Sequence, residues 1–109
     1  MSSVQEIRKR LSMYTKNDFI YNEPHFTQQL QFRQGSKDAV EQHLLHPDKL
    51  VHVSEELGRY GDIKHELYFQ VSNVRTMKIP VIFDLGGKKC IYIITYIMRH
   101  RAWQRMVKV

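Results

Sequence analysis

The sequence predicts an α+β fold, with helices gathered in the first half and antiparallel strands in the second. Three observations point there. Within Met77–Arg101, two apolar runs, Lys78–Leu85 and Cys90–Met98, flank Gly86-Gly87-Lys88-Lys89. β-Branched and aromatic residues dominate both runs and suit a pleated, packed surface. The glycines supply the positive φ of a tight turn, so the pair reads as an antiparallel hairpin. His65–Asn73 alternates Leu67, Phe69 and Val71 with Glu66, Tyr68 and Gln70, the period of a half-buried strand. Ser2–Lys16 and His25–His46 instead carry their apolar residues at helical spacing.

Taken in order, Ser2–Lys16 reads as an amphipathic helix. Ser3 and Glu6 have capping-box spacing, Ile7, Leu11 and Tyr14 share one face, and Arg8, Lys9, Arg10 and Lys16 occupy the others. Asn17–Tyr21 reads as a short strand that Pro24 closes. His25–His46 reads as two short helices, or one kinked pair, interrupted at Gly35. Phe26 and Leu30 form the apolar face of the first, and Val40 and Leu44 that of the second. Ser36 is its N-cap, Asp38 lies in its first turn, and Pro47 stops it. A strand over Asp48–Leu57 and a glycine-bounded loop, Gly58–Asp62, precede His65–Asn73. Pro80 inside the next run predicts an edge position or a bulge there. The run Cys90–Met98 is apolar on both alternating sets, which predicts the central, most buried strand. It is too short to cross a membrane, which takes about 20 apolar residues. Ala102–Val107 reads as a terminal helix.

A chain of 109 residues is expected to form one domain around one core, and 42% apolar content supports folding. Cys90 is the one cysteine, so no internal disulfide forms and a reducing, cytoplasmic setting is expected. It reads as a small core residue. No apolar run follows Arg8-Lys9-Arg10, so no leader is expected. The formal charge is +6. All 11 acidic residues lie before Leu85, where 11 basic residues balance them. The whole excess is Lys88, Lys89, Arg99, Arg101, Arg105 and Lys108. Positive charge concentrated in this way favours a polyanion, or else forms a solvated basic tail.

No glycine-rich phosphate loop, cysteine-based zinc pattern or Ser-His-Asp arrangement is present. His43, His46 and His52 lie near one another, but only Asp48 could complete a metal set, and no metal or cofactor is expected. The stronger constellation is cationic. Arg59, Tyr60, Lys64 and His65 precede one strand, Lys89 stands at the hairpin, and Tyr96, Arg99, His100 and Arg101 leave the last strand. Convergence of these residues on one face would make a single anion-grasping concavity. RNA cleavage without a metal needs a proton acceptor for the 2′-hydroxyl, cations for the phosphorane and an acid for the leaving oxygen. Imidazole titrates near neutrality, guanidinium grips phosphate in bidentate fashion, and tyrosine stacks bases or donates a proton.

The segment His25–Lys49, HFTQQLQFRQGSKDAVEQHLLHPDK, resembles the opening of small RelE/ParE-like toxin-fold proteins, including BrnT-type toxins. His25 corresponds to a histidine after the first strand and Arg33 to the family's arginine. Val40 and Leu44 correspond to its helix core and Pro47-Asp48-Lys49 to its helix stop. Ile93-Ile94-Thr95 followed by basic residues is also similar to these proteins, and the likeness spans residues 18–105. Glu23-Pro24, Phe26 and Gln29 depart from the pattern.

The resemblance implies a small, curved antiparallel sheet of about four to five strands with N-terminal helices packed on one side, a RelE/barnase-like arrangement. It also implies RNA cleavage, as in some relatives, and an antitoxin-like protein partner. The proton carriers are then expected among His25, His65 and His100. Phosphate contacts are expected from Arg33, Arg59, Lys64, Lys89, Tyr96, Arg99, Arg101 and Arg105. A non-catalytic nucleic-acid-binding module and a homodimer paired through strand edges are the alternatives, and no membrane association is expected.

Overall fold

The computed structural model describes residues 3–33, 35–58 and 61–107. Arg59 and Tyr60, both expected at the anion-binding face, lie outside the described residues. The fold is α+β, as expected.

Helix α1 (Val4–Leu11) begins at Ser3, whose Oγ accepts from the backbone N–H of Glu6 at 3.1 Å. Ile7, Leu11 and, just beyond the helix, Tyr14 are buried. The helix is shorter than Ser2–Lys16, because Ser12 turns the chain and Lys16 falls in a 3-10 turn closed by Thr15 and Asp18. Its basic side is not simply wet. Arg8 donates to the carbonyls of Pro47, Asp48 and Leu50, and the Arg10 guanidinium lies 4.3 Å over the Phe83 ring.

Strand β1 (Phe19–Tyr21) leads to α2 (His25–Phe32) and α3 (Lys37–Leu45). Ser36 caps α3 by accepting from the Ala39 N–H. Phe26 and Leu30 of α2 and Val40 and Leu44 of α3 enter the core. Four strands were expected to follow; there are five: β2 (Leu50–Leu57), β3 (Ile63–Ser72), β4 (Arg75–Phe83), β5 (Ile91–Ile93) and β6 (Ile97–Arg99). A short helix, α4 (Trp103–Met106), ends the described chain.

The sheet therefore has six strands rather than four or five. Its order is β1-β5-β4-β3-β2, with β6 continuing along β4 beyond β5. One pair, β1 with β5, is parallel, and the others are antiparallel. Side chains alternate across the faces. Leu67 and Phe69 of β3, with Met77, Ile79 and Val81 of β4, face the N-terminal helices, and each is at most 2% exposed. Burial of side chains this large contributes about 1.5–3 kcal/mol each before ordering entropy is subtracted. Glu66, Tyr68 and Lys78 take the opposite face, where the Trp103 ring of α4 stacks 5.7 Å from that of His52.

The hairpin's second arm departs from expectation. It is two strands, not one, and only β5 is interior; β6 is an edge. Proline supplies the cause. Ile94 donates its N–H to the Pro80 carbonyl, so the missing N–H of Pro80 faces the same partner. Ile93 pairs with Val81 and Ile97 with Lys78, four residues against three, a one-residue bulge opposite the absent donor. Pro80 itself lies in a central strand. The bulge expected of it is carried by its neighbour.

Candidate functional site

That bulge shapes the most chemically suggestive cavity in the molecule. Released from regular pairing, Tyr96 buries its ring to 2% exposure, and its hydroxyl lies against Gly35, between α2 and α3. Past it, Met98 and His100 face the helix side of the sheet. The Thr76 hydroxyl pins the chain end by donating to the Arg101 carbonyl at 2.9 Å. The result is a cleft of about 490 Å³ between the α2–α3 corner and the β4–β6 edge. Its apolar wall includes Ala39, Val71, Met77 and Met98. Its polar side chains are Arg33, Ser36, His43, Arg75, Tyr96 and His100.

Each polar group has a structural reason for its place. Arg33 is the C-cap of α2, and its Nη1 is buried with no hydrogen-bond partner among the described residues. An unsatisfied buried donor of this kind costs about 1–3 kcal/mol, more for a charged one. Arg75 opens β4 on the same face as Met77. The Nδ1 of His43 lies 2.7 Å from the Ala39 carbonyl. A carbonyl only accepts, so Nδ1 carries a proton and Nε2 is the nitrogen left for other chemistry. Burial raises the pKa of Tyr96, while the charges of Arg33 and Arg75 pull it down; the net shift is upward. The phenol is therefore a neutral donor at physiological pH.

The cleft brings together three of the expected residues, Arg33, Tyr96 and His100. The other expected residues that are described lie elsewhere, so among the described residues they do not form the single concavity predicted from the sequence. His65 shares the helix-facing side but pairs with Val81, four residues and roughly 13 Å along β4 from Met77. It is 5% exposed, edge-on to Phe83, with Nε2 3.6 Å from Glu55, in a separate cavity bordered by Arg10 and Asp84. Burial lowers its pKa; Glu55 opposes that shift and Arg10 adds to it.

Lys64 is engaged by Glu56 at 3.0 Å and Glu66 at 3.7 Å, and Glu56 chiefly raises its pKa. Lys89 approaches Asp18 at 3.7 Å near the hairpin loop. His25 begins α2 while Arg33 ends it, about 12 Å apart at helical rise. Arg99, Arg101 and Arg105 lie on the opposite face of the sheet, around a furrow of about 290 Å³ with Lys78, Ile97 and Met106. The reason is strand alternation: Met98 and His100 take one side of β6 and its extension, and Arg99 and Arg101 the other.

Two cleft residues were not singled out as anion contacts from the sequence. Arg75 follows a turn and keeps the parity of Met77 and Ile79, so alternation could have found it. His43 was weighed only as a metal ligand. Among the described residues, no group of three or more His, Cys, Asp or Glu is arranged to hold a metal. No helix among them is long and apolar enough to cross a membrane. No protein-family model matches this chain, and no curated protein or solved structure matches it either.

Proposed function

We propose that this protein binds RNA in the cleft and cleaves it without a metal, as a toxin-like endoribonuclease on a RelE/ParE-like scaffold. One observation carries the reading: Arg33, with a buried guanidinium nitrogen lacking an acceptor among the described residues, shares one cleft with Arg75, two histidines and a neutral tyrosine. Helices preceding a largely antiparallel sheet, with basic residues at its exit, support the scaffold.

In this reading Arg33 and Arg75 hold the scissile phosphate and the charge of its phosphorane. His43 Nε2 takes the proton of the ribose 2′-hydroxyl as that oxygen bonds to phosphorus. The bond from phosphorus to the 5′-oxygen breaks, and the His100 imidazolium protonates the leaving oxygen. The products are a 2′,3′-cyclic phosphate and a 5′-hydroxyl, with two proton transfers and no redox change. His25 and His65 drop out as proton carriers on distance.

Incubation with single-stranded RNA in EDTA tests this. Cyclic-phosphate ends are expected, and both His43→Asn and Arg33→Gln lower the rate by about a hundredfold or more. RNA left intact overturns cleavage.

The three arginines around the far furrow, which make no ion pair among the described residues, favour a second reading: non-catalytic nucleic-acid binding. It predicts retention that weakens steeply with salt and yields no product. An antitoxin-like protein would be an acidic chain that competes with RNA for the same arginines.

A further inference from the structure

The cleft and the arginine furrow lie on opposite faces of the sheet, yet one short strand separates them. Met77, Met98 and His100 line the cleft, and Lys78, Ile97 and Arg99 line the furrow. Strand β6 pairs with β4 on one side only; β1 pairs with β5 and does not extend to it. Its outer edge is thus open among the described residues, and an extended chain can pass over it from one face to the other.

The furrow's cations are held ready for such a chain. Lys78 is answered by Glu66 at 2.6 Å, so among the described residues the uncompensated charges of the furrow are Arg99, Arg101 and Arg105. The Trp103–His52 stack fixes α4 and with it Arg105. The Thr76 bond to the Arg101 carbonyl fixes the segment that carries Arg99 and Arg101. An acidic peptide would meet these arginines but would leave the cleft guanidinium of Arg33 without a matched partner. A polyanion with regularly repeating phosphates reaches both. Duplex nucleic acid is too broad and stiff to enter the cleft and fold over a sheet edge; a single strand does both.

We infer that the substrate is single-stranded RNA running over the open edge of β6, with one phosphate in the cleft and the 3′ or 5′ flank on Arg99, Arg101 and Arg105. This rests on the cleft reading above and adds a track outside it. The track sets a site of several nucleotides and discriminates against duplex.

The test is binding of 2′-O-methyl RNA, which lacks the attacking hydroxyl and stays intact. Lengths of about four and about twelve nucleotides are compared at several salt concentrations. Replacing all three furrow arginines (Arg99→Gln, Arg101→Gln, Arg105→Gln) is expected to weaken the longer oligomer about tenfold more than the shorter. The salt slope of the longer one falls by roughly 2, about 0.7 per lost phosphate contact. The corresponding triple lysine variant retains the slope, which separates charge from folding. Arg33→Gln weakens both lengths by about tenfold.

An unchanged salt slope for the longer oligomer in the glutamine variant overturns the track while leaving the cleft reading intact. Equal losses for both lengths, or a duplex bound as tightly as the single strand, overturn it as well. If Arg33→Gln alters neither length, the cleft reading fails first and the track with it.

Discussion

Arg33 concentrates the chemistry of this molecule in one side chain. A guanidinium nitrogen buried without an acceptor among the described residues is a cost the fold carries without visible structural return. Removal of the charge should therefore leave stability unchanged or raise it by up to about 1 kcal/mol, while RNA affinity falls about tenfold. A thermal melt of Arg33→Gln beside a binding titration checks both. Gly35 is the complementary case. A Cβ there would come within 2.7 Å of Cε1 of the buried Tyr96 ring. Gly35→Ala should cost about 1–3 kcal/mol in a urea melt, since the ring and the α2–α3 corner must shift apart.

His65, set aside as a proton carrier, has a stability signature instead. Its folded pKa lies below the ordinary imidazole value of about 6.5, chiefly through burial. Below about pH 6.5 the unfolded chain binds the extra proton and the native one resists it. Stability is therefore full above that pH and declines as pH falls toward the folded value. The carboxylates with lowered pKa, Asp18, Glu23, Glu66 and Asp84, lie below ordinary values of 3.8 and 4.5 and titrate in a lower window. Between about pH 7.5 and pH 5.5, His65→Leu should flatten the decline in the urea midpoint. Identical pH profiles for the two proteins would contradict the assignment. Tyr96 and His100 were expected together from the sequence as neighbours at the end of one strand; they line one cleft from either end of β6. The sequence did not exclude His65, because it places that residue at a strand start without the register that sets it opposite Val81, roughly 13 Å along β4 from Met77.

The hairpin shows how an element can be legible while its function is not. The glycines of the turn adopt positive φ as their chemistry suggests, Gly86 at 71° and Gly87 at 78°. What the composition did not convey is the role of Asp84, itself at φ 54°. One of its carboxylate oxygens accepts from the Tyr14 hydroxyl at 2.7 Å and from the Cys90 N–H, and the other meets Arg10 at 3.3 Å. That bond from Tyr14 is the main reason its pKa is lowered. Asp84 thereby ties the hairpin to α1. Asp84→Asn tolerates the backbone but loses the charge, and about 1 kcal/mol of stability should go with it. Asp84→Ala should lose about 2 kcal/mol, since the left-handed backbone is then strained too. Equal unfolding midpoints for wild type and Asp84→Ala would contradict this role. Proline 80 was legible as a disturbance, but its effect on the opposite strand needs the pairing register, which sequence alone does not carry. Strand β6 consequently becomes an edge, and the arginines it carries divide from His100 by simple alternation.

Across the whole molecule, charge was the most legible feature and its geometry the least. The excess does lie at the end of the chain, but alternation sends Arg99 and Arg101 to the furrow with Arg105, on the face opposite the cleft, while Lys89 stays at the hairpin loop. The cleft draws its cations from Arg33, far away in sequence, and from Arg75, in a stretch whose charges balance. Sequence reasoning counts charges along the chain, whereas the sheet sorts them by parity and by strand order. The proposed function needs the cleft, not the tail, to receive the phosphate. The most direct measurement is a two-dimensional amide NMR titration with a 2′-O-methyl tetranucleotide. The largest shift changes should map to Arg33, Ser36, Arg75, Tyr96 and His100, with smaller changes in α4. Shift changes gathered on the furrow or around His65, with the cleft amides unmoved, would contradict it.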